Sequence, residues 1–294
     1  MNIASHFSGD ADAVAFGGDC LELLRSIPAE QASLVVTSPP YNIGKEYEQR
    51  TQIHHYIQWQ EQVIRECHRV LAHDGSICWQ VGNYVDNGSI LPIDILLHPI
   101  FDSLRMKMRN RIVWHFEHGL HCARRLSGRY EVIVWYTKSD DYTFHLDPIR
   151  VRQKYPGKKH FKGPNIGKPS CNPLGKNPGD VWLIPNVKSN HVEKSGHPCQ
   201  FPVELIERLI LALTDPGDLV IDPFMGVGTT QAAAILNGRR TAGAETTPEY
   251  LTIARERMTE AANGTLRIRP RNTPVFDPAN AGKSLTTAPW LLAE

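Results

Sequence analysis

Asp218-Leu219-Val220-Ile221-Asp222-Pro223-Phe224-Met225-Gly226-Val227-Gly228-Thr229-Thr230 is a short apolar run that ends in an acid and opens into a glycine turn. Gln231-Ala232-Ala233-Ala234-Ile235-Leu236-Asn237-Gly238 follows, rich in helix formers and stopped by Asn-Gly. Residues 240–245 then read as a second strand ending in Glu245, and residues 248–258 as a further helix. The order is strand, glycine turn, helix, strand, acid. A glycine turn lets a ligand approach the backbone closely, and a carboxylate about 20 residues on can hold ribose hydroxyls. The arrangement predicts a doubly wound α/β fold with a nucleoside-type cofactor at the carboxyl ends of its strands.

A second apolar run, Leu34-Val35-Val36-Thr37, reads as a buried parallel strand and leads into Ser38-Pro39-Pro40-Tyr41. Two prolines stiffen this loop and leave its carbonyls free to accept hydrogen bonds. The Ser38 hydroxyl is another acceptor, and the Tyr41 ring is a face on which a base can stack. Rigid acceptors beside a flat ring suit a planar substrate that bears an exocyclic amino group.

The two motifs together resemble the S-adenosylmethionine-dependent DNA amino-methyltransferases of β-type motif order, of the kind found in restriction–modification systems, over residues 16–262. In that family an Asp, Asn or Ser followed by Pro-Pro-aromatic comes first, a target-recognition segment second and the cofactor motifs last. Ser38-Pro39-Pro40-Tyr41 matches the first motif, and residues 222–230 match the cofactor turn. Gly18-Asp19 matches the family's Gly-Asp. His197-Pro198-Cys199-Gln200-Phe201-Pro202-Val203-Glu204 matches its His-Pro-x-Gln-Lys-Pro-x-Glu, with Phe201 in place of the lysine. Position 201 therefore takes no polar role.

The resemblance implies an α/β fold with a doubly wound, mostly parallel, Rossmann-like sheet and an inserted target-recognition segment. It implies S-adenosylmethionine as cofactor, double-stranded DNA as partner, and direct methyl transfer to the amino group of a flipped base. Ser38, Pro39, Pro40 and Tyr41 form the expected catalytic loop. Asp19, His197, Pro198, Gln200, Pro202, Asp222, Pro223, Phe224, Gly226, Gly228, Thr229 and Glu245 form the expected cofactor site, with Glu245 on the ribose. Serine before Pro-Pro-Tyr goes mostly with cytosine N4 in this family and aspartate with adenine N6, so cytosine N4 is favoured and adenine N6 is the alternative. Whether a cognate restriction endonuclease acts on the same site stays open, as does the oligomeric state.

The chain has 294 residues and a net charge of only +1. Its charge is unevenly spread. Residues 150–196 carry ten lysines and arginines against Asp180 and Glu193, so this segment is +8 and the remainder −7. The same stretch is dense in Gly, Pro and Asn and holds no sustained period of 2 or 3.6. It reads as a recognition segment whose cations neutralise phosphates, Lys154, Lys158 and Lys159 among them, with Tyr155, Phe161 and Trp182 available for stacking. The expected divisions are a catalytic half at 1–145, the basic insert at 146–196, a cofactor half at 197–262 and a loosely packed tail at 263–294. Residues 56–71 read as an amphipathic helix, and residues 76–81, 111–114 and 131–136 as strands.

His115, His118, His121 and Cys122 have a zinc-like spacing, but they follow a strand and surround Gly119, so no metal is expected; Arg124 and Arg125 after them are read as phosphate contacts. Pro198-Cys199 is the dipeptide C5-cytosine methyltransferases use for covalent attack, yet here it opens a helix ahead of the glycine turn instead of ending a catalytic strand, and Cys199 is expected to be a packed thiol. The six cysteines lack C-x-x-C spacing and no stretch approaches the ~18 apolar residues of a membrane span, which together favour a cytoplasmic protein. A nicotinamide-dependent dehydrogenase would want a third glycine near Thr230 or Gln231 and leaves Ser38–Tyr41 unexplained. A non-catalytic DNA-binding protein leaves the cofactor motifs unexplained. An RNA or small-molecule methyltransferase stays formally open.

Overall fold

The computed structural model of the chain describes residues 1–42, 44, 50–119 and 121–275. In chain order it begins β1 (Ile3–Ala4), β2 (Ala13–Gly17), α1 (Cys20–Ser26), β3 (Ala32–Thr37), α2 (Ile53–Val70) and β4 (Leu71–Val81). A hairpin of β5 (Asn83–Asp86) and β6 (Ser89–Pro92) leads to α3 (Ile93–Ser103), β7 (Lys107–His115) and β8 (Tyr130–Thr137). The remaining elements are β9 (Val181–Leu183), α4 (Val203–Leu213), β10 (Leu219–Asp222), α5 (Thr229–Leu236), β11 (Arg240–Glu245) and α6 (Pro248–Ala262).

The apolar runs become sheet interior. β10 is buried throughout and β3 nearly so, as strands covered on both faces must be. The main sheet has the order β1-β2-β11-β10-β3-β4-β8-β7-β9. Every neighbouring pair from β1 to β4 is parallel, and β8 runs antiparallel to both β4 and β7. α2 buries Tyr56, Val63, Ile64, Cys67 and Val70, one helical stripe, against α1 and α3 on one face of the sheet. α4 and α5 cover the other face through Leu205, Leu209, Ala233 and Ala234, and α6 packs on β2 through Ala254 and Met258. From β10 the chain crosses by α5 to β11 on one side; from β3 it crosses by α2 to β4 on the other. The winding reverses between these adjacent strands, and a crevice opens at their carboxyl ends.

Two expectations for the later chain are corrected. Trp182 is not available for stacking. β9 pairs parallel with β7 at the sheet edge, and Trp182 is buried there with Nε1 donating to the Gly179 carbonyl at 2.8 Å. The side chains of residues 181–184 alternate outward and inward, which turns the indole to the core; Tyr155 and Phe161 do stay exposed. The described start of the tail is docked rather than loose. Arg269 pairs with Glu204 at 2.7 Å, and its amide donates to the buried Glu193 Oε1 at 3.0 Å. The rest of that expected tail, 276–294, lies outside the described residues.

Candidate active site

At the carboxyl ends of β2, β3, β10 and β11 lies a cavity of about 970 Å³, within the range of sites that enclose a small-molecule ligand. It brings the Ser38 loop and the glycine turn together although about 185 residues separate them.

The link between them is Asp222. Its carboxylate is fully buried and accepts from Thr37 Oγ1 at 2.5 Å, Thr230 Oγ1 at 2.6 Å and the Phe224 amide at 3.1 Å. Thr37 immediately precedes Ser38, so one side chain ties the end of β3 to the turn after β10. Burial pushes its pKa up to about 6, against the lowering effect of those three hydrogen bonds. Asp222 does not line the cavity, and neither do Gly228 and Pro202, which cap α5 and α4. Gly228 has φ +71°, and a Cβ there would lie 3.0 Å from Ala254 Cβ. The left-handed backbone and the close approach of α6 both favour glycine here.

The other expected cofactor residues, Asp19, His197, Pro198, Gln200, Pro223, Phe224, Gly226, Thr229 and Glu245, do line the cavity. Phe224 packs between Trp59 and Trp79, with ring centroids at 5.3 and 6.3 Å. Gly226 has φ +53°, keeping the turn open toward His197. Burial, reinforced by Lys194, pushes the His197 imidazole down to about 4, so it is neutral at pH 7. Glu245 ends β11, and one of its oxygens accepts from the Thr247 amide at 2.7 Å. Asp19 spends an oxygen capping α1 through the Leu21 amide at 2.8 Å. A glycine turn, aromatic walls and carboxylates at two strand ends fit S-adenosylmethionine, whose adenine wants apolar faces, whose ribose wants acceptors and whose tail is cationic at two positions.

In the same cavity the Ser38 and Tyr41 hydroxyl oxygens lie 3.1 Å apart. Tyr41 OH donates to Glu131 Oε2 at 3.2 Å, and Gln80 Nε2 donates to the same oxygen. Burial raises the Glu131 pKa, and the bonds from Tyr41 and Gln80 work against that rise. Glu131 and Gln80 were missed in the sequence. Their signal is positional: each is a polar residue at the end of an apolar strand run, and β4 pairs with β8 there.

Cys199 is not a packed thiol. It is exposed and lines the cavity, because Pro198-Cys199 lies in the turn before α4 rather than on the helix's buried face. Cys20, Cys67 and Cys78 are buried, and burial raises all three thiols. Arg124 and Arg125 are exposed on the β7–β8 connection and do not line the cavity. Lys154, Lys158 and Lys159 are exposed with Tyr155 and Phe161 around a smaller hollow. Among the described residues no three His, Cys, Asp or Glu side chains gather as a metal-holding group, and no helix is long and apolar enough to cross a membrane.

Residues 32–256 match the family model described as DNA methylase, of the N6/N4 type. The chain is 52% identical over 240 residues to the type II methyltransferase M.BglII of Bacillus subtilis, covering 81% of this chain and 67% of that protein. It is 34% identical to the DNA adenine methyltransferase YhdJ of Escherichia coli (strain K12), covering 88% and 86%. Among solved structures, the fold resembles the PvuII DNA methyltransferase (cytosine-N4-specific) with a TM-score of 0.67 at 23% identity, covering 85% and 91%. It also resembles a DNA modification methylase of Thermus thermophilus, TTHA0409, complexed with S-adenosyl-L-methionine, with a TM-score of 0.59 at 27% identity, covering 84% and 95%. The chain belongs to the N6/N4 DNA methylase family and is an S-adenosylmethionine-dependent DNA amino-methyltransferase.

Proposed function

We propose that this enzyme methylates the N4 amino group of a cytosine flipped out of duplex DNA at a specific short site. The observation that carries the reading is Ser38. It heads the Pro-Pro-Tyr loop with its hydroxyl on the cavity, where the family resemblance associates serine with cytosine and aspartate with adenine. An exocyclic amino nitrogen is a poor nucleophile because its lone pair is delocalised into the ring. Ser38 Oγ and the Pro39 carbonyl accept its two N–H bonds, which favours a pyramidal nitrogen with a localised pair. Bound S-adenosylmethionine supplies the electrophilic methyl group. Phe224 and the glycine turn would bound the cofactor, Glu245 would accept from its ribose hydroxyls, and Asp19 and His197 would hold its adenine and methionine ends. The work of the protein is orientation and electrostatics.

A stacked base cannot reach this cavity, so it leaves the helix, and Tyr41 replaces part of the lost stacking. The exposed lysines and aromatics of residues 151–180 form the surface that meets the duplex, and the exposed Arg124 and Arg125 add further phosphate contacts. The type II names of several relatives support a role in marking sites against a cognate endonuclease. The adenine reading keeps one supporting observation, the 34% identity to the DNA adenine methyltransferase YhdJ. Modification-sensitive sequencing of DNA from cells expressing the chain distinguishes the two. One short site carrying N4-methylcytosine supports the proposal; N6-methyladenine at that site replaces it.

A further inference from the structure

Methylating a neutral amino group leaves a proton to be disposed of. In the net reaction an N–C bond forms as an S–C bond breaks, the sulfonium becomes a thioether, and the nitrogen sheds one proton. Ser38 alone is no destination for that proton, since a serine hydroxyl is a very weak base.

The hydrogen bonds behind Ser38 have a direction. An ionised carboxylate only accepts, and Tyr41 has a single hydroxyl proton, which it gives to Glu131 Oε2 at 3.2 Å. The bond between Ser38 and Tyr41, 3.1 Å long, must then run from Ser38 Oγ–H to Tyr41 OH. The Ser38 lone pairs are left facing the cavity, ready for an amino N–H. The chain ends on a group that can change state: Glu131 is largely enclosed, and burial favours its acid form. Gln80 can serve both forms. Its Nε2 donates to the carboxylate, while its Oε1 is buried without a partner, so a half-turn of the amide offers an acceptor to the acid's O–H.

We infer that Glu131 is a positioning residue and the terminal proton acceptor of methyl transfer, acting through Tyr41 and Ser38. The inference rests on the proposed seat of the amino group at Ser38. As the nitrogen gains its methyl group, its N–H proton passes to Ser38 Oγ, the Ser38 proton to Tyr41 OH, and the Tyr41 proton to Glu131. Both hydroxyls end neutral and Glu131 ends as a carboxylic acid, which returns its proton to water after product leaves.

The test is single-turnover methyl transfer by parent, Ser38→Ala, Tyr41→Phe, Glu131→Gln and the Tyr41→Phe/Glu131→Gln pair, with cofactor and DNA affinities measured separately. Tyr41→Phe keeps the stacking ring, and Glu131→Gln keeps an acceptor for Tyr41 that cannot take a proton. Each should slow transfer about 100-fold or more at pH 7, in the range that general acid–base groups supply. The pair should be no slower than either single variant, and affinities should stay within about twofold. The parent's rate should fall on the acid side as Glu131 protonates, and that limb should vanish in Glu131→Gln. Infrared difference spectra of the protein alone should contain a titrating carboxylic-acid band that Glu131→Gln removes. Tyr41→Phe or Glu131→Gln working near the parental rate, with Ser38→Ala inactive, would overturn the relay and leave the seat at Ser38 intact. Ser38→Ala at the parental rate would remove both. Should Glu131→Gln fail to fold, Tyr41→Phe decides the matter alone.

Discussion

Asp222 offers the sharpest test of how the two motifs are held together. Its pKa of about 6, against an ordinary 3.8, corresponds to roughly 3 kcal/mol disfavouring the buried anion. Between those two values the folded chain binds more protons at this site than the unfolded chain, so stability falls as pH rises through the window. Asn at 222 keeps a carbonyl for Thr37 and the Phe224 amide, and turns an NH2 toward Thr230, whose hydroxyl can reverse and accept. Asp222→Asn should therefore be at least as stable as the parent at pH 7, and by as much as about 3 kcal/mol more stable. Its advantage should shrink as pH falls from 7 to 4.5. Asp222→Ala is different, because it strands three donors at about 1–3 kcal/mol each. Even after the anion is relieved, the net loss at pH 7 should be about 3 kcal/mol. Urea unfolding of the three proteins across that pH range measures both effects. If Asp222→Asn lost as much as Asp222→Ala at pH 7, or if its gap to the parent did not change with pH, the clamp reasoning would be refuted.

Three further outcomes are expected. Glu245→Ala should weaken S-adenosylmethionine binding by roughly 1.5–3 kcal/mol, measured by calorimetry, and unaltered affinity would count against the ribose assignment. Replacing Lys154, Lys158 and Lys159 together with Gln should lower affinity for all duplexes alike and flatten its salt dependence by about one slope unit per lost contact, with cofactor binding unchanged; an unchanged slope would move the DNA surface toward Arg124 and Arg125. The depressed His197 leaves the unfolded chain with more bound protons between about 4 and 6.5, so stability falls as pH drops through that range. His197→Gln should lessen the fall, and an imidazole titrating near 6.5 by NMR would contradict it.

The strand, turn and helix of residues 218–238 were legible because an apolar run, φ-permissive glycines and helix formers occur in that order along the chain. The Ser38 loop was legible for a similar reason. What escaped is long-range. Nothing near Glu131 in the sequence points to Tyr41; the antiparallel pairing of β4 with β8 brings their neighbourhoods together. Asp222 looks like one more cofactor acid until Thr37 and Thr230 are seen to enclose it. Trp182 sits in a Gly- and Pro-rich stretch, where a four-residue alternation is too brief to mark a strand. Cys199 differed because the helix expected to open at Pro198 begins only at Val203, which leaves the thiol in the preceding turn on the cavity. In each case the local signal was sound and the tertiary partner was missing.

The central claim is direct transfer of methyl from S-adenosylmethionine to an amino nitrogen of cytosine. It is tested most directly by incubating the purified chain with methyl-labelled cofactor and duplex DNA, digesting to nucleosides and separating them by mass. Label is expected in N4-methyldeoxycytidine. Label in N6-methyldeoxyadenosine would keep the amino chemistry and contradict the target base. Label in 5-methyldeoxycytidine would contradict the mechanism itself and turn attention to the cavity-lining thiol of Cys199.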